Sequence, residues 1–207
     1  MGKIAACVFA CALMACLACG CATKNSGTTT AQTDDNSAVE QVTLTTRTVT
    51  FPKVYFNDAD QDQATQTLEG LGATDIVAND DGSYTATLPI DKYNALVDTL
   101  HEGVAGNFDA MPGSDSWKDV TAVDYADDFS QVTFTLATSS LGLQDIYLSY
   151  AGGIYGCMYQ QIAGFPVNTE VIILAADGSQ LSDTSYPEAW EKASDQSNTP
   201  QFQDSAA

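Results

Sequence analysis

Basic residues are scarce in this 207-residue chain: seven Lys and Arg stand against 27 Asp and Glu, for a net charge of −20. A surface of that sign is repelled by nucleic acid and by anionic lipid headgroups, which argues against a nucleic-acid partner. It favours cations and basic partners, or simply solubility on a crowded cell surface. Histidine occurs once, as His101, at the flank of an apolar helical stripe where a core-edge position explains it without catalysis. All but one of the six cysteines fall between Cys7 and Cys21, so Cys157 stands alone in the rest of the chain. A lone thiol makes no internal disulfide and no cysteine metal set, and the fold must rest on its apolar core. With 44% hydrophobic residues that core is available. GxSxG, HExxH, phosphate-cradling glycine loops and nucleotide-binding motifs are all missing, so no catalytic constellation is recognisable. Carboxylates are plentiful enough for a glycosidase-like pair, but nothing singles one out and the domain is small for such a cleft.

What is present begins with Lys3, an apolar run from Ile4 to Leu17, and small residues packed around cysteines up to Cys21. This is the layout of an export signal, and the run is too short to span a membrane. The stretch resembles a bacterial lipoprotein signal, whose Leu-small-small-Cys lipobox ends in a cysteine that becomes the N-terminus and carries acyl chains. Leu17-Ala18-Cys19-Gly20-Cys21 places the modification on Cys21, with Gly20 before it and Leu17 one place further upstream than the pattern. Leu13-Met14-Ala15-Cys16 has the closer spacing, which makes Cys16 an alternative and Cys19 a third. The apolar run continues past Cys16 and polar residues begin at Thr23, which favours Cys21. An ordinary secretion signal with incidental cysteines is the plainer alternative. The resemblance implies two acyl chains, enough for stable anchoring, on the extracytoplasmic face of the cell membrane.

Residues 22–41 lack periodicity and are rich in Ser, Thr, Asn and Asp, as in a flexible spacer. Residues 42–187 predict a single α+β domain, and 188–207 a polar, disordered tail. Alternation from Val42 to Phe56 predicts one long strand broken at Pro52, hence an edge strand. A short helix over Gln61–Gly70 and a strand over Ala73–Asn79 follow. Asp80-Asp81-Gly82 is a hairpin signal because glycine supplies the positive φ of such turns. A strand over Ser83–Ile90 then leads to a helix capped by Asp91, with Tyr93, Leu96, Val97, Leu100 and Val104 on one stripe and Gly103 and Gly106 ending it. A second hairpin, 119–125 and 130–137, turns at Asp127-Asp128. A long helix spans Leu143–Ile162, with Ser139 and Ser140 as cap candidates, and strands over 170–175 and 180–186 close the sheet. The order βαββα, then ββαββ, predicts a mostly antiparallel sheet with about three helices packed on one face. Leu68–Leu100, Asp127-Asp128-Phe129-Ser130, Tyr159–Gly164 and Ala176-Asp177-Gly178 make residues 55–185 similar to a recurring domain of small exported bacterial lipoproteins. That family carries no assigned activity, so the resemblance implies boundaries and no chemistry.

Two patterns invite a functional reading. Asp58, Asp60, Asp62 and Glu69 match the first, third, fifth and twelfth positions of an EF-hand loop, where alternate carboxylates gather a calcium ion. Gln63 stands where the sharp bend wants glycine, and an acidic helix start favoured by the macrodipole explains the same residues without metal. The long helix carries Leu143, Ile146, Tyr147, Tyr150, Ile154, Cys157 and Met158 on one face and Ser149, Gly152 and Gly156 on the other. Helical glycine costs about 1 kcal/mol against alanine, so the glycines imply close approach of something. Either the aromatic face packs on the sheet and the small face admits a loop or second helix, the preferred reading, or Ser149, Gly152 and Gly156 receive a partner chain. Gln144, Asp145, Gln160 and Gln161 argue against membrane insertion of this helix, and Cys157 reads as a buried, inert thiol. The expectation is a membrane-anchored, non-catalytic domain without cofactor that binds an unidentified protein or small-molecule partner at the cell surface. A calcium-binding structural module is the alternative, and an enzyme the least supported. A transporter's solute receptor needs a second lobe to close over its ligand.

Overall fold

The computed structural model describes residues 45–57 and 59–198. Cys16, Cys19, Cys21 and Asp58 therefore lie outside the described residues, as does the spacer. The chain is α+β. Strand β1 (Thr46–Phe51), helix α1 (Gln61–Gly70), strands β2 (Thr74–Ala78) and β3 (Tyr84–Pro89) and helix α2 (Ile90–Asp109) form its first part. Strands β4 (Val120–Tyr125) and β5 (Gln131–Leu136), helix α3 (Leu143–Ala163), strands β6 (Thr169–Leu174) and β7 (Gln180–Tyr186) and helix α4 (Glu188–Asn198) form the second. No helix among the described residues is long and apolar enough to cross a membrane.

The strands form two sheets where the sequence predicts one. The first is antiparallel, in the order β1-β3-β2; the second runs β4-β5-β6-β7 and is antiparallel except for the β5–β6 pair. A parallel pair requires a crossover, and α3 provides it by carrying the chain back to the end where β5 began. Inward residues alternate as the pleat demands: Val49 and Phe51, Tyr84, Ala86 and Leu88 in the first sheet, Val132, Phe134, Leu136, Val171 and Ile173 in the second. On the outer face of the first sheet Thr48 meets Thr87 at 3.4 Å and Thr50 meets Thr85 at 3.3 Å.

A single arrangement of hairpin and helix recurs: β2-β3-α2, β4-β5-α3 and β6-β7-α4. Each hairpin turns on Asp-X-Ser, in which the aspartate accepts from the serine backbone N–H and hydroxyl (Asp81, Asp128, Asp177). The middle residue has positive φ each time: Gly82 at 81°, Phe129 at 53° and Gly178 at 83°. Glycine adopts that conformation freely, whereas a bulky side chain there is an outlier.

Several boundaries differ from the sequence expectation, each for a tertiary reason. Beyond Pro52 the strand does not resume, and Lys53–Phe56 is a 3₁₀ turn that brings Phe56 into the core beside Phe51 and Tyr84. β1 is an edge strand all the same. Asp91 lies in the first turn of α2 and does not cap it, because the N–H of Ile90 already donates to the Thr45 carbonyl at 3.0 Å. Gly103 and Gly106 lie inside α2, which continues to bury Val104 and Phe108. The cap of α3 is not a serine: the N–H of Gly142 donates to Asp145 Oδ2 at 2.6 Å. Residues 188–198, expected in a loose tail, form α4, whose Trp190 stacks on Tyr186 with ring centroids 4.8 Å apart.

Helix α3 is turned over relative to expectation. Its glycine side faces the second sheet, with Phe134 and Val171 over Gly152, Tyr186 over Gly153, and Thr169 over Gly156. Ser149 is buried and shares a 3.1 Å hydrogen bond with Tyr186. The proposed interaction face of Ser149, Gly152 and Gly156 is thus closed by the protein's own strands. Strands make most of the close approach, joined at Gly156 by the Phe129 carbonyl of the β4–β5 turn, and no second helix takes part. Of the stripe expected against the sheet, Leu143, Ile146 and Tyr147 are 75%, 62% and 64% exposed, while Cys157 and Met158 near its end are buried. Side-chain size decides this orientation, because a glycine notch lets the sheet's Phe134 and Val171 sink into the helix surface.

Candidate binding site

The middle of α2, the C-terminal part of α3 and the β4–β5 turn border an open groove of about 770 Å³. Asp98, His101 and Glu102 line it from α2, Asp127 and Asp128 from the turn, Tyr159 from α3 and Phe165 from the segment after it. Residues three and four apart share one helix face, which is how Asp98, His101 and Glu102 come together. The turn is held from three sides. Phe129, fully buried, packs edge-on against Tyr159 at 5.0 Å and lies 5.1 Å from the His101 ring and 5.4 Å from that of Tyr125. This packing holds Phe129 in a conformation that its two sister turns give to glycine. His101 Nε2 lies 3.1 Å from the Asp127 carbonyl, and a carbonyl only accepts, so Nε2 carries the proton. Gln160, 1% exposed, donates to the carbonyls of Asp128 and Asn168, both at 3.1 Å, and accepts from Asn168 N–H at 2.9 Å.

The groove is negative and uncompensated. Among the described residues the ion pair present is Lys192–Glu188 on α4 at 2.7 Å, well outside the groove's lining. Hydrogen bonds from the Ser130 hydroxyl and N–H hold the Asp128 carboxyl below its usual range. Tyr159 is buried. Burial pushes its pKa up, and Tyr93, Asp128, Asp98 and Asp127 add to the shift, so it stays a neutral phenol. Phe165 lies beside it, with centroids 6.1 Å apart. Carboxylates grouped beside an exposed aromatic ring, here Phe165, are an arrangement that can receive an organic cation. The chain's own Arg47 shows the aromatic half of this recognition, its guanidinium 4.4 Å from the Tyr93 ring centroid. No serine, threonine, cysteine or lysine lines the groove for His101 to activate.

The acidic stretch before α1 behaves differently from an EF-hand. Asp60 caps the helix, accepting from Gln63 N–H at 2.9 Å while Gln63 Oε1 accepts from Asp60 N–H at 3.3 Å. Asp62 and Glu69 both lie within α1, where seven residues of rise separate them by about 10 Å along the axis. Helix stands where the EF-hand pattern needs a loop, so Glu69 does not close a shell with Asp60 and Asp62, and Asp58 lies outside the described residues. Among the described residues no three His, Cys, Asp or Glu side chains are grouped to hold a metal ion. Cys157 is buried, its thiol 3.7 Å from Thr169 Oγ1 and its pKa raised by burial, in keeping with an inert thiol.

Sequence reasoning named His101 and the Asp127-Asp128 turn but did not join them, since they meet only across 26 residues. One signal was available: of the three Asp-X-Ser turns, one replaces glycine with Phe129, which marks a place where packing outweighs backbone preference. No protein-family model matches this chain, and neither a curated protein nor a solved structure is significantly similar to it.

Proposed function

We propose that this protein is an exported, lipid-anchored, non-catalytic binding domain that holds a basic segment of a partner protein in the groove between α2, α3 and the β4–β5 turn. The observation that carries this reading is the set Asp98, Glu102, Asp127 and Asp128, unneutralised and set around Tyr159 and Phe165. The net charge of −20 adds long-range attraction for such a partner. A lysine or arginine side chain places its charge among the carboxylates and its stem on the rings.

Calorimetric titration of the full chain in detergent with an arginine-rich peptide is the test. Binding is expected to weaken steeply with salt and to fall about tenfold in Asp98→Asn with Glu102→Gln, since each partly exposed pair contributes up to about 1 kcal/mol. Equal affinity in that variant overturns the assignment. Anchoring is checked separately. Cys21→Ala is expected to abolish acyl labelling and release the chain from membranes, whereas persistent labelling moves the anchor to Cys16 or Cys19.

A further inference from the structure

The chain's one histidine lies in the wall of the acidic groove. Asp98 and Glu102 flank it on α2, three residues before and one after. Asp127 and Asp128 line the same groove from the β4–β5 turn, and Tyr159, a neutral phenol, lines it from α3. These are the titratable groups around the ring, and no lysine or arginine lines the groove. Phe129 and Tyr159 pack on the imidazole with ring centroids 5.1 Å and 5.6 Å away, which fixes its position. Its Nε2–H donates to the Asp127 carbonyl at 3.1 Å, so in the neutral ring Nδ1 is the basic nitrogen. A proton taken up on Nδ1 leaves the bond to the turn in place. It changes only the charge at a fixed point of the groove wall.

We propose that His101 makes the groove pH-sensitive: in mildly acid solution a proton on Nδ1 competes with the basic segment for Asp98, Glu102, Asp127 and Asp128, and loosens its hold. This rests on the reading of the groove as a cation site and names what regulates it. Imidazole is the side chain whose charge ordinarily changes between about pH 5 and 8. Carboxylates ordinarily stay ionised through most of that interval, and the Ser130 hydrogen bonds hold Asp128 in its charged form further still. An arginine on the partner stays positive throughout. The histidine is therefore the group in the groove whose charge changes there. Because proton and ligand are both cations held by the same carboxylates, each lowers the affinity for the other. One added charge against four carboxylates leaves the groove negative, so acid weakens binding without abolishing it.

The test is calorimetric titration of the full chain in detergent at about pH 7.5 and about pH 5.5, a span that brackets ordinary imidazole titration. The probe is an arginine-rich peptide, acetylated and amidated at its ends so that it carries no group titrating in that span. Ionic strength is held constant. Affinity is expected to be about fivefold lower at the acid pH, the scale of one partly exposed charge interaction. In His101→Gln, which keeps a donor but takes up no proton, the ratio of the two affinities is expected to fall to near one, whatever their absolute size. A second readout needs no variant. With a single histidine in the chain, its ring proton resonance is followed by NMR, and saturating peptide is expected to move the titration to lower pH. Absence of binding at both pH values overturns the reading of the groove, and this inference with it. Binding of equal affinity at both pH values overturns the inference alone, as does a ring titration that the peptide leaves in place. A pH dependence that persists in His101→Gln overturns the assignment to His101.

Discussion

Gly156→Leu is expected to destabilise the domain by about 3 kcal/mol or more, the upper end of overpacking costs. A Cβ at position 156 stands 2.7 Å from Thr169 Cγ2 and 3.0 Å from the carbonyl oxygen of Phe129. The second of these is backbone, and it belongs to the turn that shapes the acidic groove. Thr169 has no room to yield, being fully buried and bonded to Gln160 at 3.3 Å. Gly153→Leu meets the Tyr186 ring, with Cγ at 2.5 Å and Cε2 at 2.8 Å from the added Cβ, and belongs to the same class. Gly103→Ala and Gly106→Ala serve as opposite controls. Nothing lies within 4 Å of a Cβ at either position, so each is expected to gain about 0.5–1 kcal/mol from helix propensity alone. Denaturant melting of the four variants reads the contrast. Gly156→Leu with wild-type stability would mean that α3 does not seat its glycines on the second sheet.

The second large effect is expected at Gln160. Gln160→Leu keeps a side chain of similar reach but strips the carbonyls of Asp128 and Asn168 of their donor and the Asn168 N–H of its acceptor. Each buried group left unpaired costs about 1–3 kcal/mol, so a total near 3 kcal/mol is expected in denaturant melts. Amide exchange distinguishes this from a general loss of packing, because protection of Asn168 should fall well beyond the global change. Binding of the arginine-rich peptide should weaken too, since Gln160 clamps the turn that carries Asp127 and Asp128. The neighbouring Gln161→Leu is the control: Gln161 makes none of those bonds, and little change in stability is expected. Unaltered stability in Gln160→Leu sinks the clamp.

Much of the local structure was legible because local physics specifies it. The helix Gln61–Gly70 and the strand Gln180–Tyr186 fall where periodicity places them. The Asp-Gly-Ser turns at 81–83 and 177–179 satisfy their own backbone groups within three residues. Where boundaries moved, a distant residue intervened. Thr45 satisfies the start of α2, and the core draws Phe108 into one further turn of helix.

The acidic groove was out of reach for a tertiary reason. His101 and Asp127 meet only after the chain is folded, and each looks ordinary in its own segment. Gln160 read as one of the polar residues that argue against membrane insertion, while its role is to bond two loops.

By itself, the sequence determined the α+β class, the succession of strands and helices, the hairpin turns and the net negative charge, all of which follow from near neighbours or from composition. Only the tertiary structure decided that the strands divide into two sheets and which side of α3 is buried. Both faces of that helix are nearly uncharged, so polarity does not choose between them. The choice rests on shape, with Phe134, Val171, Tyr186 and Thr169 fitting a surface of glycine and serine more closely than one of leucine and tyrosine.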